Sequence, residues 1–306
     1  MPMLIEVLIC THNRAALLER TLEFIDHAAC PEGAAVEVLV IANACTDGTR
    51  DLLQSYAQGS TTPRYPIRFV EEPRPGKSNA LNTAIPLLRG DFIAMVDDDH
   101  RVDHDYFRAI TEAADRLPEA TMFCGKILPD WTGDEPAWVH DLSAYAIYPL
   151  PVPQYDLGEE PLRIGEAGRT PGGGNLVIRR EVFARVGTFS TELGPQGHNL
   201  AGGEDTDFVQ RALAGGEQIR YCPRIVQFHV AENERLTLRY MMVKSFQRSF
   251  SSTRIIATGQ RGIPRYLWRK LASYGLRALT SLYWPEKRFY LVRTAAALGE
   301  MRAYIG

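Results

Sequence analysis

The sequence predicts an α/β fold with a mostly parallel central sheet, helices on both faces of the sheet, and a basic helical region at the C-terminal end. Apolar runs such as EVLIC and VEVLVIA lack a clear polar alternation, as expected of strands that are covered on both faces. These runs alternate with segments of helical periodicity. Repeated β-α units of this kind form doubly wound sheets with right-handed crossovers.

Each element follows from a local pattern. The predicted strands are EVLIC, VEVLVIA, IRFVE and DFIAMV. The predicted helices are RAALLERTLEFIDHA, TDGTRDLLQSYA, GKSNALNTAIPLLRG and DYFRAITEAADRL. In the first helix the apolar residues have helical spacing, at Leu17, Leu18, Leu22 and Ile25. A later helix, GEDTDFVQRALAGG, begins at residue 203 and ends at a pair of glycines.

Two stretches differ from this alternation. Residues 128–173 contain seven prolines and no clear periodicity, which is typical of a functional loop or lid. Residues 235–303 predict two or three helices that are broken near Pro264 and Pro285.

The composition is that of a globular protein from a reducing compartment. The 306 residues are 45% hydrophobic and 23% charged, and the five cysteines form no CxxC pair. This pattern argues against a disulfide framework and a zinc knuckle. The N-terminal segment lacks the regions of a signal peptide, and no apolar run approaches the ~18 residues of a spanning helix. We therefore expect a cytoplasmic protein.

Charge is distributed unevenly along the chain. Residues 236–306 contain thirteen lysines and arginines but only two acids, a formal charge of +11, whereas residues 1–235 carry −14. Basic helices with interleaved aromatic residues suit the inner face of an anionic cytoplasmic membrane. A helical subdomain packed on the acidic half, or a dimer surface, explains the same charge. No nucleic-acid-binding motif accompanies it.

Three consecutive aspartates follow the predicted strand DFIAMV. Adjacent carboxylates repel one another, so Asp97, Asp98 and Asp99 need a cationic partner. In an open α/β sheet, ligands bind beyond the carboxyl ends of the strands, and carboxylates there suit Mg²⁺ or Mn²⁺. The alternative is an exposed acidic turn in which Asp103 caps the next helix.

A second acidic group and a histidine are further candidates. Glu204 and Asp205 open a helix after two glycines, where they suit either catalysis or capping of the helix dipole. His229 ends a predicted strand, where it suits either metal ligation or packing in the core.

The motifs together resemble the family 2 inverting, nucleotide-sugar-dependent glycosyltransferases. The segments that carry the resemblance are VLICTHNRAALLERTL, VLVIANACTDGT, EPRPGKSNALNTAI, GDFIAMVDDDHRVD and GGGNLVIRREVFARVGTF…GGEDTDF. They cover residues 4–230, whereas most of the basic region lies outside them. The resemblance implies a GT-A, Rossmann-like fold and transfer of a sugar to a saccharide or lipid-linked acceptor in bacterial polysaccharide or glycolipid biosynthesis.

The resemblance also implies roles for individual residues. The residues expected to bind the nucleotide are Thr11, His12, Asn13, Arg14, Asn43, Lys77, Asp97 and Asp98. A Mg²⁺ or Mn²⁺ ion is expected on Asp99, with Asp97 and His229. Asp205 is the expected general base, and Glu204, Gly173 and Gly174 are expected to contact the acceptor. At residue 42, where the family usually has an aspartate, this chain has alanine, so UDP is the expected donor nucleotide only by its frequency in the family.

The resemblance divides the chain into a catalytic domain, residues 1–234, and a basic helical region, residues 235–306. Within the domain, residues 1–127 are expected to bind the nucleotide and residues 128–234 the acceptor. One alternative from another functional class is a catalytically inactive relative that acts as a scaffold or sugar-binding protein at the membrane. Loss of acidic residues would favour that alternative, but only the residue replaced by Ala42 is missing.

Overall fold

The structure is a computed structural model that describes residues 2–59, 63–165, 170–193, 203–257 and 262–305. The strands are β1 (Met3–Thr11), β2 (Ala34–Asn43), β3 (Ile67–Glu72), β4 (Phe92–Met95), β5 (His100–Val102), β6 (Met122–Asp130), β7 (Leu162–Arg163), β8 (Leu176–Arg179) and β9 (Ile219–Val230). The helices are α1 (Ala15–His27), α2 (Thr49–Ala57), α3 (Lys77–Ala84), α4 (Tyr106–Arg116), α5 (Glu181–Val186), α6 (Glu204–Ala214), α7 (Leu238–Ala257), α8 (Arg265–Thr280) and α9 (Trp284–Ala303). Single 3₁₀ turns cover Ile85–Leu87, Ala137–His140, Gly173–Asn175 and Asn233–Leu236.

The chain divides into two compact units. The sheet unit contains Met1–Asp130 and Gln154–Val230, and the helical unit contains Trp131–Pro153 and Ala231–Gly306. The functional boundary drawn at residue 235 from the sequence stays a prediction. The structure assigns part of the proline-rich stretch, residues 131–153, to the same unit as the basic helices.

The sheet unit is built on one mixed sheet with the strand order β3-β2-β1-β4-β8-β6-β9-β5, and β7 pairs with β9. The first four strands of this order are parallel, as the repeated β-α units predict. The next strand, β8, is antiparallel to both β4 and β6. The predicted fold class, an α/β sheet with helices on both faces and a C-terminal helical region, is confirmed. The predominance of parallel pairing holds for β3, β2, β1 and β4, whereas four of the eight strand pairings that the described residues form are antiparallel.

The two faces of the sheet explain why the strands are almost entirely apolar. On β1, Ile5, Val7 and Ile9 point to one layer, with α1, α2 and α4, whereas Leu8 points to the opposite layer, with α3, α5 and α6. Successive side chains of a strand face opposite sides, so both sets of positions must be apolar when both faces are covered.

The helical unit contains α7, α8 and α9. The break near Pro264 is observed, since α8 begins at the next residue. The break near Pro285 is observed as well, since α8 ends at Thr280 and α9 begins at Trp284. Pro285 itself lies in the first turn of α9, where its missing N–H leaves no helical hydrogen bond unmade. In the described residues, no helix has the length and apolarity that crossing a membrane requires.

We predict that Gly299→Ala destabilises the protein. A Cβ at Gly299 of α9 would lie 2.2 Å from the carbonyl oxygen of Phe246 on α7, so the two helix backbones must separate. Overpacking of this kind costs about 1–3 kcal/mol of unfolding free energy. Urea denaturation of the variant measures that loss.

Gly275→Ala is the matched control, because a Cβ at this position of α8 meets nothing within 4 Å. We expect this change to raise the unfolding free energy by up to about 1 kcal/mol, as Gly-to-Ala changes inside helices do. Equal effects of the two substitutions would contradict the close contact of α7 with α9.

Candidate active site

Three parallel strands end side by side at the candidate active site. Thr11 ends β1, Asn43 ends β2, and the aspartates follow β4, whose parallel pairing with β1 aligns Leu8 with Met95. Carboxyl ends of parallel strands share one edge of a sheet, so residues far apart in sequence meet there.

Each of the three aspartates has a cationic or hydroxyl partner. The Thr11 hydroxyl donates to Asp98 Oδ2 at 2.7 Å, and Arg14 Nη1 donates to Asp98 Oδ1 at 3.0 Å and to Asp99 Oδ2 at 2.7 Å. Lys77 Nζ donates to Asp97 Oδ1 at 2.9 Å. Two cations from different elements therefore stabilise the acidic cluster.

The cations do not neutralise the cluster evenly. Burial and the charge of Asp99 raise the pKa of Asp98 to about 6, in spite of the ion pair with Arg14 and the hydrogen bond from Thr11. Burial also opposes ionisation of Asp97, but Lys77, followed by His100, outweighs it and lowers the pKa of Asp97. Asp98 is consequently the carboxyl of this pair that takes up a proton first.

Two histidines face the aspartates with a ring nitrogen that is free to accept. His100 begins β5 and His229 lies directly opposite it on β9. His229 Nδ1–H donates to its neighbouring carbonyl of Val230 at 2.8 Å, which leaves the lone pair on Nε2, 3.6 Å from Asp99 Oδ2. Burial lowers the pKa of His229 more than Asp99 raises it, so the neutral form is favoured.

A buried amide fixes the orientation of His100. Gln227 Nε2 donates to the Met95 carbonyl at 3.0 Å, which leaves Gln227 Oε1 as the acceptor of the His100 Nδ1–H at 2.6 Å. The lone pair of His100 is therefore on Nε2, which lies 3.9 Å from Asp97 Oδ2 and 4.0 Å from Asp99 Oδ1. Outer hydrogen bonds that fix the tautomer of a histidine are typical of metal sites.

Asp99, His100 and His229 form one cluster of metal-ligand types. One donor atom from each residue lies within 4.8 Å of the others, and all three residues are buried. A carboxylate oxygen with two imidazole nitrogens is a mixed donor set, which suits a transition-metal ion such as Mn²⁺ better than Mg²⁺, because Mg²⁺ prefers oxygen ligands. Arg14 shares Asp99 with this cluster, so a bound ion and Arg14 would compete for that carboxylate.

The second acidic group lies on the other side of Lys77. Asp205 Oδ2 is 3.6 Å from Lys77 Nζ, which also binds Asp97, so this lysine links the two acidic groups. Asp205 Oδ1 is buried and has no hydrogen-bond partner among the described residues. Asp205 Oδ1 can therefore accept a hydrogen bond from a ligand.

Two glycines keep the space beside these carboxylates open. A Cβ at Gly173 would lie 2.2 Å from Asp205 Cγ, and a Cβ at Gly174 would lie 2.8 Å from Asp97 Oδ2. Any larger residue would displace the carboxylate, which gives both glycines a physical role at the site.

Glu204 differs from its neighbour Asp205. Gly203 reaches φ 118°, a left-handed conformation that places Glu204 at the start of α6 as a buried side chain. Burial and the charge of Asp205 raise the pKa of Glu204 to about 7, and Lys77 only partly offsets them. Near neutral pH, Glu204 is partly protonated.

The remaining predicted nucleotide-binding residues hold loops together. His12 Nδ1 donates to the Asn43 carbonyl at 2.7 Å, and Asn13 Oδ1 accepts from the Thr46 amide at 2.6 Å. The Asn43 side chain accepts from Gly76 N at 2.8 Å and donates to the Arg74 carbonyl at 2.7 Å. Their contact with a nucleotide stays a prediction.

The structure places the predicted site residues around the carboxyl ends of β1, β2 and β4, and it adds two residues to them. The sequence-based prediction does not include His100 and Gln227. The available signal is that His100 directly follows the aspartates. No local signal connects it to Gln227, because the two residues are 127 positions apart and meet only through pairing of β5 with β9.

Known proteins resemble the chain in sequence and in structure. Residues 6–187 match the sequence profile of the family described as Glycosyl transferase family 2. The succinoglycan biosynthesis protein ExoM of Rhizobium meliloti is 26% identical over 267 residues, which cover 86% of this chain and 78% of ExoM. The glucosyl-dolichyl phosphate glucuronosyltransferase of Haloferax volcanii is 23% identical over 177 residues, covering 58% of this chain and 54% of that protein.

A solved structure shares the fold. The mannosyltransferase PcManGT of Pyrobaculum calidifontis, in complex with GDP-Man and Mn²⁺, superposes with a TM-score of 0.56 at 20% identity, covering 96% of this chain and 86% of that one. At this identity the likeness shows the fold alone. The profile match spans more than half of the chain, so the protein belongs to glycosyl transferase family 2, has the GT-A fold, and is a glycosyltransferase.

Proposed function

We propose that the protein is a metal-dependent inverting glycosyltransferase that moves a sugar from a nucleoside diphosphate to a hydroxyl of a lipid-linked or polysaccharide acceptor. One observation carries this proposal: Asp205, with an unpaired buried oxygen, is linked through Lys77 to the triple-aspartate cluster. A proton acceptor and a cluster suited to a diphosphate-bound cation are thus adjacent. An inactive scaffold would have no need for this arrangement.

The names of relatives support the acceptor class. ExoM is named for biosynthesis of succinoglycan, a polysaccharide, and the Haloferax volcanii enzyme is named for a sugar carried on dolichyl phosphate. We infer that this chain acts in polysaccharide or glycolipid biosynthesis, on an acceptor of the same chemistry.

Asp99, His100 and His229 would hold Mg²⁺ or Mn²⁺, and Asp97 is close enough to His100 to support the site. When bound, such an ion offsets the negative charge of the departing nucleoside diphosphate. The donor set suits Mn²⁺ better than Mg²⁺, because two of its three residues offer imidazole nitrogens and Mg²⁺ prefers oxygen ligands. The Mn²⁺ of the PcManGT complex is consistent with the assignment.

Arg14 and Lys77 are the cations available to the donor phosphates. Both already pair with the aspartates, and both have elevated pKa values, because the neighbouring carboxylates outweigh burial, so they stay protonated. The predicted nucleotide contacts of Thr11, His12, Asn13 and Asn43 lie at the ends of β1 and β2. UDP is our first choice of nucleotide, and GDP, which accompanies PcManGT, is the alternative to test.

Asp205 would act as the general base. A sugar hydroxyl is a weak nucleophile until its proton is removed as attack develops. Asp205 Oδ1 has the unused accepting site for that proton, and Lys77 holds the other oxygen in place. Attack from the face opposite the leaving diphosphate inverts the anomeric carbon. Glu204, Gly173 and Gly174 would border the acceptor.

The Asp205→Asn variant tests the role of Asp205 as the general base. Asp205→Asn keeps the shape of the side chain but removes its basicity, so we expect kcat to fall by about 10²–10⁴-fold. Nucleotide affinity, measured by calorimetric titration of UDP and GDP with Mn²⁺ and again with EDTA, should stay within about twofold, a free-energy change below about 0.4 kcal/mol. Unchanged turnover would remove Asp205 from this role.

Matched variants control for indirect damage. Asp207→Asn, on the same helix, removes a carboxylate that pairs with Arg211 at 2.9 Å, and it should leave kcat nearly unchanged. Gly173→Ala should reproduce the loss of kcat by displacing Asp205, whereas Gly172→Ala, with open space around its Cβ, should not.

A second prediction concerns the metal cluster. His229→Gln should weaken Mn²⁺ binding by about tenfold or more, since even outer partners of metal ligands contribute 10–100-fold in affinity. Electron paramagnetic resonance of free Mn²⁺, recorded with nucleotide present, measures this without any turnover. His104→Gln, an exposed histidine, is the control and should bind Mn²⁺ as the unaltered protein does. Equal affinities of the two variants would exclude His229 as a ligand.

A third prediction concerns pH. The pKa of Glu204 in the folded protein, about 7, lies above its ordinary value of 4.5, so ionisation of Glu204 between these pH values disfavours the folded state. Glu204→Gln cannot ionise. We therefore expect it to raise Tm relative to the unaltered protein at pH 8, and to raise it less at pH 5.

Glu23→Gln, an exposed change on α1, controls for the general loss of one carboxylate. Thermal unfolding of the unaltered protein and of both variants, recorded from pH 5 to pH 8, measures these differences in Tm. A Tm difference for Glu204→Gln that stays constant from pH 5 to pH 8 would contradict the raised pKa.

A further inference from the structure

The helical unit contains a basic pocket of 210 Å³ whose wall is formed by α7, α9 and residues 147–150. Lys244 and Arg248 are four residues apart on α7, and Phe289 and Arg293 are four residues apart on α9. Residues at this spacing share one face of a helix, so each helix turns a continuous stripe toward the pocket. The pocket is therefore a product of two helix faces and one loop.

The charge of the basic pocket has one sign. Lys244, Arg248 and Arg293 line it, and no acidic residue is among the described residues of its wall. None of the three forms an ion pair with a carboxylate of the described residues, whereas Lys270 of the same unit binds Glu300 at 2.7 Å. Burial, together with the charges of Arg235 and Arg248, lowers the pKa of Lys244, which is the expected result of crowded cations without a counter-ion.

The rest of the wall is suited to two further kinds of contact. Ser245 and Ser249 add hydroxyl groups on the same face of α7 as the cations. Ile147, Met241 and Val292 belong to one buried apolar cluster that reaches the pocket. Cations with hydroxyl donors suit a phosphate group, and the apolar side suits a hydrocarbon chain attached to it.

The surface of the helical unit favours a membrane as the source of that ligand. Of the thirteen large apolar side chains that are exposed in the described part of the chain, all except Leu193 belong to this unit. Five of them follow one another from the end of α8 to the start of α9. These are Leu276, Leu279, Leu282, Tyr283 and Trp284. Exposed apolar groups of this kind, next to basic helices, are typical of proteins that lie on a lipid surface.

We propose that the basic pocket binds the phosphate or diphosphate head of a membrane lipid, with the beginning of the lipid chain against Tyr148 and the apolar wall. The inference rests on the proposed function in one respect, since it identifies this lipid as the carrier of the acceptor sugar. Inorganic phosphate or diphosphate offers the same anionic chemistry without the chain, so the test must separate the two sources.

The test measures binding of the full chain to phosphatidylcholine vesicles that contain a polyprenyl phosphate. Arg248→Gln with Arg293→Gln should lower the affinity by about tenfold or more, as the loss of two close cations at an anionic lipid predicts. Arg239→Gln with Arg269→Gln removes the same charge from exposed positions of α7 and α8 outside the pocket, and should change the affinity by no more than about twofold. If both double variants lose the same affinity for the vesicles, binding depends on diffuse surface charge and the pocket proposal is wrong.

Two further arms identify the ligand. Tyr148→Ser removes an exposed part of the apolar wall with little risk to folding, and should weaken binding to the lipid phosphate but not to soluble pyrophosphate. Vesicles with an equal charge of phosphatidylglycerol should bind more weakly than those with the polyprenyl phosphate. Pyrophosphate binding as tight as lipid binding, or no preference between the two lipids, would overturn the proposal.

The outcome is separable from that of the proposed function. In the Arg248→Gln, Arg293→Gln variant, calorimetric titration of nucleotide with Mn²⁺ should be unchanged, because no residue of the aspartate cluster is altered. If the unaltered protein binds the lipid phosphate but no nucleotide, the result supports the lipid pocket and contradicts the proposed transferase reaction. If it binds nucleotide but not the lipid phosphate, the result supports the transferase reaction and contradicts the lipid pocket.

Discussion

The candidate active site depends on the neutralisation of three adjacent aspartates by Arg14 and Lys77. Without these cations, burial and mutual repulsion would protonate the carboxylates or expel them from the end of β4. The cations come from the starts of two helices that follow β1 and β3, so the positions of both helices are coupled to the charge of the aspartates. Lys77 extends this coupling to Asp205, so the three aspartates and the candidate base form one electrostatic unit.

The paired charges also prepare the site for a charged ligand. The charges of a divalent cation and the diphosphate of a nucleotide-sugar nearly cancel, so both could enter without changing the net charge of the site. The cation would take the place of Arg14 at Asp99, and the phosphates would pair with the released guanidinium. Such an exchange would leave no carboxylate buried without a partner. The imidazoles of His100 and His229 need no reorientation for it, since their Nδ1 atoms are already hydrogen-bonded to Gln227 and to the Val230 carbonyl.

The sequence predicts the first four parallel strands because each is an apolar run long enough to be recognised alone. It does not predict β6 or β8, since β6 contains Gly125 and Pro129, and β8 has only four residues after three glycines. Their status as strands comes from pairing across the sheet. The same limit applies to the site. The aspartates and Asp205 are visible as local motifs, whereas the contacts of Arg14 with Asp98 and of His100 with Gln227 join residues 84 and 127 positions apart.

The cations of the basic pocket in the helical unit, unlike those of the candidate active site, lack carboxylate partners among the described residues. In the sheet unit, Arg14 and Lys77 have carboxylate partners within the protein, so their field is balanced before any ligand binds. In the basic pocket, Lys244, Arg248 and Arg293 have no such partner in the part of the chain that the structure describes. Burial, with the charges of Arg235 and Arg248, lowers the pKa of Lys244. Crowded cations without acids destabilise a fold unless a ligand or surface supplies the anion. The net charge of residues 236–306 predicts an anionic partner, but only the folding of residues 147–150 against α7 and α9 converts that charge into a pocket with one apolar side.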